Sequence, residues 1–486
     1  MQDGLNNVNI SNIINYNMKT RITIFLIALF VNFNLAVAQD DEECRNNLSI
    51  FDSYANSKKY DDAYEPWMKV RKECPRLSRA LYLTNKGKGG RAIIDYKIEN
   101  STGAEKLAFI KDLLKLNEEY QLNFASKYTV GDLAMENANL KYKYRNELGL
   151  AGDLLYKEFD NVFVNHKGSF DSAVGLYTYF SLAVDLYDAS SKSPAEAQQL
   201  FDKYDDVNEI IEGVIEDYTK KLNIYAEKEA AGETLSKREQ SYKNSYESNI
   251  DVYETKILSS MDKTLGDRAN CEVLVPLYQK DFEENKNDAL WLQRAMNKMG
   301  EKDCTDDPLF EKLVVQKNSI DPDAKTAFYL GVLKEKQGKN AEADRYYDQS
   351  FELETDPIKK WKLVMRVAEK NYKRGSFGKA RQQYMEALKL NPSNGGPYLR
   401  IAAMYAKSAN NCGDTNFNKR AVFWLAANEA EKAGKVDGRL RSTATKTAAS
   451  YRGSAPSKAD IFNCSCAGTT IKIGCWIGRS VTVPNL

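Results

Sequence analysis

The chain has 486 residues, of which 28% are charged and only 11 are proline. Its 69 lysines and arginines nearly equal its 68 acidic residues, so the composition provides no excess positive charge for binding nucleic acid or an acidic membrane. This composition is typical of a soluble helical protein and excludes a strongly basic nucleic-acid-binding protein.

The first segment with a clear pattern is an export signal. Lys19 and Arg21 precede an apolar stretch over residues 22–35, and residues 36–38 supply the small side chains of a cleavage site. The stretch is too short for a membrane span, and no later run is long enough. We therefore expect residues 1–38 to be an N-terminal extension and signal peptide. The mature chain is expected in the periplasm, either free or at the outer membrane or cell surface.

Two segments repeat one spacing of aromatic, small and proline residues. In both, six residues follow one another at intervals of 6, 3, 4, 3 and 5. They are Tyr54, Tyr60, Ala63, Trp67, Val70 and Pro75, and then Asn371, Phe377, Ala380, Tyr384, Ala387 and Pro392. A weaker copy covers 334–355, and another begins at Ile401. The spacing resembles that of tetratricopeptide repeats (TPRs), which implies an all-α, TPR-like helical-repeat solenoid.

The remaining patterns divide the chain into segments. We predict an N-terminal TPR-like helical region at 39–192, a long helical hairpin at 193–270, C-terminal TPR repeats at 271–450 and a Cys-rich β-hairpin tail at 451–486. In the long hairpin, the residues Ala230-Ala231-Gly232 separate two charge-rich helices. Those helices either project from the solenoid or are simply longer members of it.

Cysteine spacing agrees with an oxidising compartment. Cys44 and Cys74 lie at the two ends of one predicted helical hairpin, and Cys271 and Cys304 lie at the two ends of another. Antiparallel helices bring such ends together, so we predict a disulfide in each hairpin. The other four cysteines are also predicted to form disulfides, with three pairings open. They are Cys412, Cys464, Cys466 and Cys475.

The C-terminal tail changes in character. From Ala459 onward, and most clearly where β-branched residues alternate around Gly478, the sequence predicts a β-hairpin. Ser450-Tyr451, residues 456–462 and the segment Gly474-Cys-Trp-Ile-Gly resemble the closing part of exported TPR proteins of Bacteroidota. Residues 114–133 are similar to the second helical unit of those proteins. The resemblance implies an envelope-facing scaffold and contributes no catalytic residues.

No pattern in the chain is typical of an active site. The stretch Lys86-Gly-Lys-Gly-Gly lacks the Walker spacing, and the acidic residues near Asp303 miss the spacing of an EF-hand. His166 is the only histidine, so no catalytic pair can include a second one. We expect no enzymatic activity, no cofactor and no metal.

A binding groove is the favoured functional surface. In this repeat class the first helix of each pair lines a concave face, and eight residues are predicted to lie there. They are Phe328, Val332, Met365, Glu369, Tyr372, Leu399, Ala403 and Lys407. Their mixture of apolar and singly charged side chains suits an extended peptide or a helix of a partner. In the alternative interpretation, neighbouring helices or the C-terminal hairpin cover several of them.

Two hypotheses about function follow. In the first, the chain is a non-catalytic periplasmic scaffold that holds a protein or peptide partner, as part of an outer-membrane or secretion-related envelope complex. In the second, it is a structural or surface component that acts through its long helices and Cys-rich hairpin. Neither includes a nucleic-acid partner, and the sequence leaves the partner's identity and the oligomeric state open.

Overall fold

The computed structural model describes residues 42–84, 86–170 and 172–485. The predicted export signal lies outside these residues. The chain groups into two compact units, one ending at Phe170 and the other starting at the next residue. The finer division into segments stays a prediction.

The first unit is helical throughout its described core. Its helices are α1 (42–56), α2 (Tyr60–Glu73), α3 (Gly90–Glu99), α4 (Gly103–Asn123), α5 (Val130–Lys143), α6 (Arg145–Leu148) and α7 (Gly152–Asn165). Trp67 is fully buried, and its Nε1 donates a hydrogen bond to the carbonyl of Leu81 at 2.9 Å. A Cβ on Gly90 would lie 1.9 Å from the same carbonyl oxygen, so α3 can begin against this turn only with glycine.

The second unit begins with long helices. They are α8 (Ala173–Ala189), α9 (Pro194–Ala230), α10 (Lys237–Asp251) and α11 (Ser259–Leu265). A π-helical segment, Val252–Leu258, joins α10 to α11 without a break. The start of α9 is specified locally, because Ser193 and Glu196 form a capping box around Pro194.

The remaining helices of this unit follow one another as pairs. They are α12 (Cys271–Asn285), α13 (Ala289–Glu301), α14 (Pro308–Ile320), α15 (Ala324–Lys336), α16 (Asn340–Leu353), α17 (Pro357–Lys373), α18 (Phe377–Leu390), α19 (Gly396–Cys412), α20 (Asn416–Val436) and α21 (Arg441–Ser454). In the α15–α16 and α17–α18 pairs, Ala343 and Ala380 are fully buried, and Tyr347 and Tyr384 fill the seams. The predicted all-α, TPR-like helical-repeat fold is confirmed.

Helix α9 lies against the repeat pairs. Asp205 contacts Lys298 of α13, and Asn223 Oδ1 accepts from the backbone N–H of Ser393, just before α19. Between these two contacts Glu212 pairs with Lys362 of α17 at 3.2 Å. The contacts span 18 residues of α9, about 27 Å of helix. The interpretation that the long helices project from the solenoid is therefore wrong.

The C-terminal tail combines a short helix with the predicted hairpin. Strands β1 (Thr470–Ile473) and β2 (Arg479–Thr482) pair antiparallel, with Ile473 opposite Arg479. The hairpin is thus confirmed, but residues 459–464 do not belong to it. They lie in helix α22 (Lys458–Cys464), because Ser457 and Asp460 form a capping box that starts a helix there.

Four disulfides join the cysteines. The two predicted pairs are present, Cys44 with Cys74 and Cys271 with Cys304. Of the three pairings open for the others, the structure has Cys412 with Cys475 and Cys464 with Cys466. Within the described ranges, none of the helices has both the length and the apolar character needed to cross a bilayer.

Candidate functional site

A groove of about 670 Å³ lies on the first helices of the repeat pairs in the second unit. Its floor consists of Phe328 and Val332 from α15 and Met365 from α17. Phe328 is 4% exposed and Val332 7%, whereas Met365 is half-buried. The floor is therefore mainly a packed surface, and a ligand would meet the edges of these side chains more than their full area.

A row of cations lies along α17. Two of them, Arg366 and Lys370, form one wall of the groove, whereas Lys362 lines a second cavity. Lys362, Arg366 and Lys370 follow at four-residue steps, so they share one face of the helix. Lys362 pairs with Glu212, and Lys370 Nζ lies 2.8 Å from Glu335 Oε2. Arg366 differs from both neighbours. It is exposed and makes no ion pair within the part of the chain that the structure describes.

The guanidinium of Arg366 lies above the groove floor, with its Cζ 5.8 Å from the centre of the Phe328 ring. The guanidinium also hydrogen-bonds to the side chain of Tyr329. The N–H donors that this contact leaves can meet an incoming carboxylate. Lys373, the last residue of α17, is also exposed and lines the groove. The wall therefore presents two positive charges that the protein itself does not neutralise with a salt bridge among its described residues.

The cations around α17 affect the pKa of nearby carboxyl groups. Burial raises the pKa of the Glu212 carboxyl, but Lys362, Lys325 and Arg366 together lower it below its usual value. The pKa of Glu335 behaves in the same way, because the hydrogen bonds from Lys370 and Tyr347 outweigh its desolvation. The cations of α17 thus lower the pKa of both the exposed Glu212 and the half-buried Glu335.

The opposite wall is acidic. Glu301, at the end of α13, and Asp303, in the following turn, are both exposed, while Asp306 pairs with Lys336 at 2.6 Å. A segment bound between the walls would therefore meet cations on one side and anions on the other. Such an arrangement selects the orientation of the bound segment as well as its composition.

A second cavity of about 510 Å³ shares Phe328, Tyr329 and Arg366 with the groove. Its far side is the acidic face of α9, which includes Glu209 and Glu212. Arg366 therefore stands where the two cavities meet, and the position of α9 sets the width of the second one.

The structure brings together four of the eight predicted groove residues. Phe328, Val332, Met365 and Glu369 all line the groove. The carboxylate of Glu369 is already engaged, since it accepts from Tyr384 Oη at 2.8 Å and pairs with Arg400 at 2.5 Å.

The other four predicted residues are not among those that line the groove. The Tyr372 ring is half-buried, and the Lys407 ammonium lies 4.5 Å from its centre. Leu399 packs against a cluster of buried alanines that includes Ala402, and Ala403 is half-buried on the same helix. Neighbouring helices thus cover part of this surface, while the groove is displaced toward α13 and α15.

Sequence reasoning missed the cations of α17. Arg366 directly follows Met365, and Lys370 directly follows Glu369. Met365 and Glu369 are both among the eight predicted groove residues. The four-residue spacing of positive charges was visible in the sequence. The sequence does not reveal, however, which of these cations is neutralised by a neighbour, because Glu212 and Glu335 come from other helices.

His166 and the acidic residues near Asp303, the sequence-based candidates for catalysis and metal binding, lie at the ends of helices. His166 is the C-cap residue of α7, and Asp307 caps α14 by accepting from the backbone N–H of Leu309 at 2.8 Å. Among the residues described, His, Cys, Asp and Glu form no group of three or more that could hold a metal ion.

No protein-family model matches the chain, and no curated protein matches its sequence. Among solved structures, the chain is similar to a tetratricopeptide repeat protein from Parabacteroides merdae at 9% identity and a TM-score of 0.22. That match covers 66% of this chain and 97% of the other. This chain is also similar to yeast Tom70 at 12% identity and a TM-score of 0.29. That match covers 87% of this chain and 90% of Tom70. With TM-scores this low, the likeness carries no inference about function.

Proposed function

We propose that this chain is a non-catalytic scaffold that binds a protein partner through its groove. The bound segment is a peptide that carries an acidic residue next to a large apolar side chain. The acidic residue pairs with Arg366, and the apolar side chain lies on Phe328 and Met365. The observation that carries this proposal is the exposed Arg366, which lies above an apolar floor and has no carboxylate in an ion pair with it among the described residues.

The chemistry of the groove supports an acidic segment. Arg366 offers a planar fork that matches the two oxygens of a carboxylate. Lys373 lies about two turns further along α17 and can meet a second acidic group. The apolar floor contributes affinity by removing hydrophobic surface from water, while the charged walls fix the register of the segment.

The proposal includes export to the periplasm and membership of an outer-membrane or secretion-related envelope complex. Two features support export: the predicted signal at residues 1–38, and four disulfides, which persist in oxidising compartments. Cell fractionation with N-terminal sequencing tests this part. A mature chain that starts at Gln39 in the periplasmic or membrane fraction is the expected result, and an intact N-terminus in the cytoplasm would contradict it.

The contacts of the long helices and the hairpin favour the groove over the alternative hypothesis. Helix α9 lies along the repeat pairs, and Trp476 of the hairpin donates to Ser408 Oγ of α19 at 2.9 Å. Both elements therefore pack much of their surface against the rest of the protein. The alternative still makes a distinct prediction, since deletion of residues 459–486 should then abolish partner binding while Met365→Ala leaves it unchanged.

The experiment that tests the groove uses defined peptides. Fluorescein-labelled peptides that contain leucine, phenylalanine and aspartate are titrated with the protein, and binding is followed by fluorescence anisotropy. Asparagine and lysine versions of the same peptides serve as ligand controls. We expect the aspartate peptides to bind more tightly than the asparagine versions by about tenfold, since a charge-assisted hydrogen bond contributes roughly 1.5 kcal/mol or more.

Two charge reversals provide the matched protein variants. Arg366→Glu should remove the preference for aspartate and shift it toward the lysine peptide. Arg345→Glu, at an exposed position on α16, should leave every affinity unchanged. Equal affinity of the wild type for all three peptides, or an equal loss in both variants, would reject the groove as the binding site.

A further inference from the structure

The disulfide between Cys464 and Cys466 differs from the other three in what it connects. Those three close loops with sequence separations of 30, 33 and 63 residues, and each ties together separate elements of the fold. The Cys464–Cys466 bridge closes a separation of only 2 and joins the end of α22 to the turn that follows. A loop this short removes little freedom from the unfolded chain, so the bond adds little to stability.

The surroundings of this bridge also differ. Each of the other disulfides has at least one well-buried cysteine: Cys44 is 2% exposed, Cys304 3% and Cys412 6%. In contrast, Cys464 is exposed and Cys466 is only half-buried. A thiolate from solution can therefore approach the Cys464 sulfur without any unfolding of the chain.

The residue inside the small ring has an unfavourable backbone conformation. Ser465 has φ of 52°, in the left-handed region that residues other than glycine rarely adopt. Ser465 is also the C-cap of α22, and its backbone N–H donates to the carbonyls of Ile461 and Phe462. The end of the helix therefore helps to hold it in this conformation. Positive φ also occurs at Asp303, next to Cys304, and at Cys475. The short loop and the exposure of Cys464 are therefore what distinguish this pair from the other disulfides.

An apolar contact point lies on the same short helix. Phe462, two residues before Cys464, is 70% exposed, which is unusual for so large an apolar side chain. It offers a surface on which an unfolded or extended protein segment could rest while its thiol reaches the bridge. Phe462 and Cys464 lie on different faces of this seven-residue helix. A protein substrate would therefore have to pass around the end of the helix to contact both.

We propose that Cys464 and Cys466 form a thiol–disulfide exchange site whose substrate is a protein dithiol. The first substrate thiolate attacks Cys464 Sγ, which forms a mixed disulfide, breaks the bond to Cys466 and leaves that residue as a thiolate that takes up a proton. The second substrate thiolate then attacks the mixed disulfide and releases Cys464. Two electrons pass from the substrate, which becomes a disulfide, to the pair, which becomes two thiols.

Selective reduction of the native protein tests the first half of the proposal. The purified full chain is incubated without denaturant in graded dithiothreitol, alkylated and mapped by mass spectrometry. We expect Cys464 and Cys466 to be alkylated together at a dithiothreitol concentration about tenfold below that needed for any other pair. The far-UV circular dichroism spectrum should not change. Reduction of Cys412 and Cys475 at the same or a lower concentration would overturn the proposal.

Transfer to a peptide tests the second half. An unstructured synthetic peptide with two cysteines is mixed with the oxidised protein under anaerobic conditions, and peptide oxidation is followed by mass spectrometry. We expect one peptide disulfide per chain from the wild type and from Cys44→Ser/Cys74→Ser, and none from Cys464→Ser/Cys466→Ser. Phe462→Ala should slow the reaction while leaving its end point unchanged. Peptide oxidation by the Cys464→Ser/Cys466→Ser variant, or none by the wild type, would refute the assignment.

Discussion

The buried ion pair between Lys298 and Asp205 offers a sharp test of how α9 is held against the repeats. Lys298 is 1% exposed, and its Nζ lies 2.6 Å from Asp205 Oδ1 and 3.6 Å from the centre of the Tyr204 ring. We predict that Lys298→Met destabilises the second unit by about 3–5 kcal/mol at pH 7, because it leaves a buried carboxylate without its partner.

The loss should depend on pH in a definite way. Burial raises the pKa of Asp205 to about 6, although Lys298 lowers it. The native state therefore binds this proton more tightly than the unfolded chain, and wild-type stability falls as pH rises from about 4 to 6. Without Lys298 the pKa of Asp205 rises further, so the fall continues above pH 6. We expect the gap between variant and wild type to widen by about 1.4 kcal/mol from pH 5 to pH 7.

Urea unfolding followed by far-UV circular dichroism at pH 5, 6 and 7 measures these differences. The control is Asp205→Leu/Lys298→Met, which replaces the whole pair with apolar side chains and should recover most of the lost stability. The difference in free energy of unfolding between this double variant and the wild type should not widen above pH 6. A single-variant gap that is equal at pH 5 and pH 7, or a double variant as unstable as the single one, would refute the reasoning.

Two further predictions concern packing. A Cβ on Gly331 would lie 2.5 Å from the ring of Tyr347, so Gly331→Ala should cost about 1–3 kcal/mol in thermal unfolding. Gly378→Ala, whose Cβ would meet nothing closer than 4.0 Å, should instead be neutral or slightly stabilising. Trp476→Ala removes the hydrogen bond to Ser408 and two ring contacts, so limited proteolysis should cut residues 467–485 faster than in the wild type. An unchanged cleavage rate would mean that the disulfide to α19 and the hydrogen bond from Arg381 to the carbonyl of Ile477 are enough to hold the hairpin.

The groove and α9 are physically connected through Glu212. This carboxylate pairs with Lys362 on α17, and it lines the cavity that Arg366 shares with the groove. Loosening α9 by Lys298→Met should therefore widen that cavity and weaken peptide binding without any change to the groove floor. The same anisotropy assay measures this effect at a pH where the variant remains folded.

The local sequence was sufficient to predict the helix pairs, two of the disulfides and the C-terminal strands. Ala380 and Tyr384 recur at helical spacing, and such periodicity encodes which face of a helix is buried. The ends of a hairpin meet wherever its two helices are antiparallel, so Cys44 and Cys74 could be paired from their positions alone. The alternation around Gly478 likewise depends only on neighbours along the chain. Short-range geometry decides all of these features.

The tertiary structure decided the features that depend on distant partners. The pairing of Cys412 with Cys475 required α19 to meet the hairpin across 63 residues, and no local pattern records that contact. The same is true of Arg366. Its spacing on α17 was visible in the sequence, but only packing shows that Glu212 and Glu335 form ion pairs with the cations on either side and that Arg366 has no such pair among the described residues. A side chain's periodicity is local, whereas its electrostatic partners are supplied by whichever helices fold against it.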